Sequence, residues 1–167
     1  KDRIFLKDVD FWVFCDTKRK RNLNINNYIK SEIVKDNSSK IYLVYGQSNT
    51  ANSGQKGYVN SENVNMLLNG KSFLYEEPAL GATGTDGSVW GRVGDKLILK
   101  SKEINRVYFA LAGWGGKTIY DLNTSPYIDF YIEQLKNTLK TFGKIDGILF
   151  QQGEANHPKN DIFINTN

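Results

Sequence analysis

The 167 residues contain one cysteine, Cys15, and one histidine, His157. A lone cysteine excludes an internal disulfide and a zinc site of the Cys-x-x-Cys kind. No cluster of His, Cys and carboxylates has ligand spacing, so no metal or organic cofactor is expected. Lack of disulfides leaves the compartment open, with a secreted or periplasmic placement slightly favoured over a cytoplasmic one. No apolar run is long enough to span a membrane. There is no signal peptide and no initiator Met, so the chain reads as processed or as a fragment. Internal repeats and low-complexity segments are absent too. The net charge of +4 is not spread over a face. Part of it is one block, Lys18-Arg19-Lys20-Arg21, in the polar stretch CDTKRKRNLNINN. That reads as a solvated hairpin tip rather than an anion patch. A nucleic-acid face would space its basic residues among aromatics, so no nucleic-acid partner is expected.

What is present fits one domain of ordinary size with a real core. Hydrophobic residues make up 40% and charged residues 24%, which argues against disorder. Residues 1–38 read as a β-rich extension, with Phe11-Trp12-Val13-Phe14 suited to a strand. Residues 39–167 read as the main domain. Three continuous apolar runs follow: Ile41–Tyr45, Val107–Leu111 and Ile145–Phe150. Runs apolar on both faces suit parallel strands covered on each side. Between them, Ile128, Ile132, Leu135, Leu139 and Phe142 step by four, three, four and three, one face of a helix that Gly143 can stop. A second helix is expected over about Val89 to Lys102, with Val93, Leu97 and Ile104 inward. Asn69-Gly70 marks a loop or small hairpin between Met66 and Leu80. Alternating strands and helices imply a parallel sheet.

In such sheets ligands sit beyond the carboxyl ends of the strands. Each run ends in small or polar residues: Gly46-Gln47-Ser48-Asn49, Gly113-Trp114-Gly115-Gly116, and Gln151-Gln152-Gly153-Glu154. Ser48 stands where a strand-to-helix turn can raise a hydroxyl above the sheet beside free backbone N–H groups; it could equally cap a helix. Gly115-Gly116 could bring an N–H close to a ligand, or simply turn the chain. The Gln151–Asn156 segment could supply a side-chain donor at Gln152 and a tethering carboxylate at Glu154, or be a surface loop.

Together the three segments carry a resemblance. IYLVYGQSNTANSG resembles the first block of the sialate O-acetylesterase and acetylxylan esterase branch of SGNH hydrolases, a carbohydrate esterase family 6-like group. Thr50 stands where that block usually has Met. ALAGWGGKTIYDL is similar to the second block, with Lys117 and Thr118 for Thr-Ser and Leu122 for Trp. ILFQQGEAN is similar to the third, with Phe150-Gln151 for Trp-His or Trp-Tyr. The order and spacing agree over about residues 40 to 157.

The resemblance implies a three-layer α/β/α, flavodoxin-like domain with a parallel sheet. It implies a serine esterase that removes O-acetyl groups from a carbohydrate through an acetyl-enzyme. Ser48 would be the nucleophile. The Ser48 N–H, the Gly116 N–H and the Gln152 side chain would form the oxyanion hole, each such donor worth on the order of 3 kcal/mol of barrier. Gln47, Asn49, Gly115 and Glu154 would support the site. Asp86 and Trp90 fall where the family has a loop near the site, and are candidates for sugar contact beside plainer readings as a helix cap and a core aromatic. The family's base is a His in an Asp-x-x-His block near the C-terminus, and no such block occurs here. His157 has a Glu154-x-x-His157 spacing but reads as a bystander in a loop. The base is therefore expected in sequence beyond Asn167. The alternative is a catalytically incomplete glycan-binding module. Which sugar is recognised, and the oligomeric state, stay open.

Overall fold

The structure, a computed structural model, describes residues 20–156. Phe11–Phe14, Cys15, Lys18, Arg19 and His157 lie outside the described residues. The elements are β1 (Ser39–Gly46), β2 (Val64–Leu68), β3 (Lys71–Leu74), α1 (Val89–Lys100), β4 (Arg106–Gly113), α2 (Ile119–Leu122), α3 (Tyr127–Phe142) and β5 (Gly147–Gln151), with single 3-10 turns at Ile25–Asn27, Ser48–Thr50 and Glu154–Asn156. The sheet order is β3-β2-β4-β1-β5. All neighbours are parallel except β2 and β3, which form an antiparallel hairpin. The hairpin turn is Asn69-Gly70, both at positive φ (51° and 75°), the geometry of a type I′ turn.

Apolar residues on both sides of the central strands need a cover on both sides. Ile41 and Leu43 of β1 and Tyr108 and Ala110 of β4 meet Tyr131, Leu135 and Phe142 of α3. Val44, Val107, Phe109 and Leu111 point the opposite way and meet Trp90, Val93, Leu97 and Ile98 of α1. The result is helix, sheet, helix. A fully buried side chain of this size contributes about 1.5–3 kcal/mol. Contact on the α1 side is close because Gly94 lacks a side chain: a Cβ there would lie 2.7 Å from Val64 Cγ1.

Three expectations need correcting. Along α3, Leu139 is 41% exposed while Gln134 and Thr138 are buried. The buried face is rotated because Gln134 clasps the hairpin: its Oε1 accepts from Asn69 N–H at 2.9 Å and its Nε2 donates to Asn69 Oδ1 at 2.6 Å. Among the described residues the third apolar run is not covered on both faces: Ile148 and Phe150 are 57% and 50% exposed, and β5 pairs with β1 alone. Ile145 and Asp146 precede the strand, and Asp146 Oδ2 accepts from Ile41 N–H at 2.9 Å. Finally, Arg21 is not a solvated tip. Its backbone bridges to Thr83 and its side chain packs between aromatic rings.

The arm from Lys20 to Ser38 holds one 3-10 turn and isolated bridges rather than a strand. It runs along the β3 side, where Leu74 N–H donates to Ile29 O and Ser31 N–H to Ser72 O.

Candidate functional site

Register brings the three strand ends level. Gly46 of β1 lies opposite Gly113 of β4 on one side and Gln151 of β5 on the other. The strand that leads to Ser48 is therefore the middle one, flanked by the strands that lead to Gly115-Gly116 and to Gln152–Glu154. Gly46 is where the backbone crowds: at φ 143° it approaches β5 so closely that a Cβ would sit 1.9 Å from Gln151 O. Only glycine fits there.

After Gly46 the chain turns at once. Gln47 N–H donates to Gln151 O at 3.0 Å, Thr50 N–H to Gln47 O at 2.9 Å and Ala51 N–H to Ser48 O at 3.0 Å. Thr50, where the resembled block has Met, is buried and closes this turn by a 2.6 Å bond from its hydroxyl to Gln47 O. Ser48 is half-buried at the start of the 3-10 turn. Among the described residues no side chain accepts from its hydroxyl, and the Ser48 N–H is not committed to another backbone group.

A carboxylate anchors the turn. Glu154 accepts from Gln47 Nε2, Asn49 Nδ2 and Gln151 Nε2, the last at 2.6 Å. Its own backbone N–H, then these amides, hold its carboxyl below the usual carboxylate range against the opposing effect of burial. Gln47, 1% exposed, returns the tie through Oε1, which accepts from Ala155 N–H at 3.1 Å. Gln47, Asn49 and Glu154 are thus one clasp between the serine turn and the segment after β5.

The second strand end is held as tightly. Trp114 N–H donates to Gly46 O at 2.8 Å. Gly115 N–H is taken by Thr83 Oγ1 at 2.9 Å, while the N–H of Gly116, at φ 73°, is not committed to a backbone acceptor among the described residues. Gln152 Nε2 lies between the second and third segments, donating to Asn156 Oδ1 and reaching Lys117 O at 3.5 Å. Asn156 Oδ1 also accepts from Ile119 N–H at 3.1 Å.

Trp90 sits behind the serine turn. Its indole N–H donates to Thr50 O at 3.2 Å and its ring packs on Phe109 with centroids 6.0 Å apart. Asp86 is exposed beside Lys56 at 3.8 Å, and its N–H donates to Asn52 O at 3.2 Å.

Two residues to which the sequence assigned no role prove central. Asn52, 1% exposed, donates to Ala79 O at 2.9 Å and accepts from Ala79 N–H at 2.7 Å. Thr83 donates its N–H to Gly113 O and accepts at O from Asn52 N–H. Together they lock the loop after Ser48 to the end of β4. Their partners are distant in sequence, so no local pattern announces them. Glu77 does similar work nearby: it accepts from Ser88 N–H and Gly57 N–H and pairs with Arg92 at 3.2 Å.

A cleft of about 370 Å³ lies elsewhere, lined by Tyr58, Asn60, Glu62, Tyr75 and Glu76 among others, and not by Ser48, Gly116 or Gln152. Among the described residues no three His, Cys, Asp or Glu side chains converge to hold a metal ion. No described helix is long and apolar enough to cross a membrane. No protein-family model matches the chain, and no curated protein matches it significantly.

Proposed function

We propose that the chain carries the nucleophile and oxyanion hole of a serine esterase that removes O-acetyl groups from a carbohydrate. One observation carries the reading: Ser48 stands at the end of a middle strand, with the Gly115-Gly116 turn level on one side and the Gln152–Glu154 segment level on the other. In the proposed reaction Ser48 Oγ attacks the acetyl carbonyl while its proton passes to a base. The carbonyl oxygen becomes an oxyanion held by the Ser48 and Gly116 N–H groups, with Gln152 Nε2 as third donor after it turns from Asn156. Collapse expels the sugar hydroxyl, which takes up the proton, and leaves acetyl-Ser48. Water then attacks this ester, and acetate leaves. Glu154 positions the serine turn; its lone pairs are committed to three amides, which suits a tether better than a proton acceptor.

A second reading has its own observation. No described side chain accepts the Ser48 hydroxyl proton, and a serine without a base is a poor nucleophile. A glycan-binding module would keep the three level strand ends without turnover.

Acetate release from p-nitrophenyl acetate and from acetylated xylan and sialosides separates the two, alongside fluorophosphonate labelling read by mass spectrometry. The esterase reading expects labelling on Ser48 and a loss on the order of 10³-fold or more in Ser48→Ala. Acetate release that Ser48→Ala leaves intact would sink it. Binding of an acetylated glycan without release would establish the second reading.

A further inference from the structure

Thr83 ties three points around the strand ends, and one of them through its side chain. Its backbone N–H donates to Gly113 O at 3.1 Å and its backbone O accepts from Asn52 N–H at 2.9 Å. Its Oγ1 accepts from Gly115 N–H at 2.9 Å. The residue is 1% exposed, and the stretch that carries it is pressed close on both sides. A Cβ at Gly81 would lie 2.2 Å from Leu111 O, and one at Gly84 2.3 Å from Asn52 O. The hydroxyl is thus held at a fixed place beside the end of β4.

What it holds there is the backbone with the greatest freedom. Gly113 O is taken by Thr83 and Trp114 N–H by Gly46 O, so hydrogen bonds pin the chain up to Trp114. The next two residues are Gly115 and Gly116, whose torsions have few steric limits without a Cβ. The bond to Thr83 Oγ1 fixes the peptide plane immediately before the one that carries the Gly116 N–H. Gly115 is buried, so without that acceptor its N–H is stranded and the glycine pair must turn to relieve it.

We propose that the Thr83 hydroxyl is a positioning group: by accepting the Gly115 N–H it aims the Gly116 N–H at the developing oxyanion. The role rests on the esterase reading. Thr83 acts through the glycine turn and not on the substrate. A donor aimed in advance needs no reorganisation when charge develops, which is where such groups gain their effect.

The test compares acetate release from acetylated xylan by the wild type, Ser48→Ala, Thr83→Val and Thr83→Ser, each at a temperature where its tryptophan fluorescence shows it folded. Thr83→Val keeps the branched shape and both backbone bonds but offers no acceptor; Thr83→Ser restores one. Loss of a placed oxyanion donor costs about 10²–10³-fold in kcat, so Thr83→Val should lose about 10²-fold in kcat with KM little changed. Thr83→Ser should recover most of that loss. A tie that only stabilises the fold would lower the unfolding midpoint and leave kcat per folded molecule alone. If Thr83→Val does not fold, amide hydrogen exchange read by NMR tests the bond without it: the Gly115 N–H should be protected in the wild type and in Thr83→Ser. Ser48-dependent release that Thr83→Val leaves unchanged, a loss carried by KM, a loss that serine does not restore, or a Gly115 N–H that exchanges freely would each overturn the proposal. Absence of Ser48-dependent release from the wild type would instead overturn the esterase reading, and this role with it.

Discussion

Gln47→Glu turns the clasp behind Ser48 into a pH-dependent fault. In the native protein Gln47 Nε2 donates to Glu154 and Oε1 accepts from Ala155 N–H. The substitution keeps the shape and the acceptor but sets a second carboxylate at hydrogen-bond distance from the first. At that separation two unit charges repel by about 1 kcal/mol in water and about 5 kcal/mol at the effective dielectric of a protein surface. A proton can relieve the repulsion, which limits the penalty. Holding one carboxyl neutral at pH 7 against an ordinary value near 4.3 costs about 3.7 kcal/mol. The protonated form also restores the lost donor. The sign follows from linkage: the new carboxyl has a folded-state pKa above its unfolded value, so the variant matches the native protein below about pH 4.3 and falls behind as pH rises. The expected loss is about 4 kcal/mol near pH 7.5. Urea unfolding of both proteins from pH 4 to 8 measures it, with the Gln47→Glu/Glu154→Gln double variant expected to lose the pH dependence. A constant offset across the range would refute the clasp.

Three further outcomes test the packing. Asn52→Leu strands both the N–H and the C=O of Ala79 inside the protein, so it should cost roughly 3 kcal/mol in urea unfolding. Gly94→Ala gains about 1 kcal/mol of helix propensity but drives a Cβ to 2.7 Å from Val64 Cγ1; overpacking costs about 1–3 kcal/mol, and a net fall in midpoint is expected. Asn65 is fully buried with neither side-chain polar atom partnered, so Asn65→Leu should leave stability equal or higher, against the usual loss of about 1 kcal/mol for a core substitution.

Strands β1 and β4 were legible because their apolar runs are continuous and a two-sided cover demands that. The Asn69-Gly70 turn was legible because it needs two residues at positive φ. The join of β2 to the sheet was not, since Asn65 interrupts VNMLL with a polar group that only tertiary packing buries. The face of α3 was misjudged for a related reason. Hydropathy steps favour Leu139, but Gln134 finds its partners on the hairpin, 65 residues away, and that pairing sets the rotation. At the site, Ser48, Gly116, Gln152 and Glu154 could be singled out because each follows an apolar run. Register, which makes them level, is a property of the assembled sheet. Asn52, inside the first block, and Thr83 were not singled out, because their partners are distant in sequence. Arg21 misled, because a run of basic residues normally stays wet while this one reaches Gly81 O across 60 residues.

The middle position of β1 has a consequence for synthesis. β1 leaves the ribosome before both neighbours, since β4 spans Arg106–Gly113 and β5 spans Gly147–Gln151. Until Gly113 has emerged, a strand greasy on both faces has no lateral partner, and no shorter nascent chain can assemble the three segments. Long-range parallel pairing of this kind is slow and prone to sticking. A ribosome-stalled chain ending before residue 106 should therefore bind a holdase chaperone, and one long enough to expose residue 151 should release it.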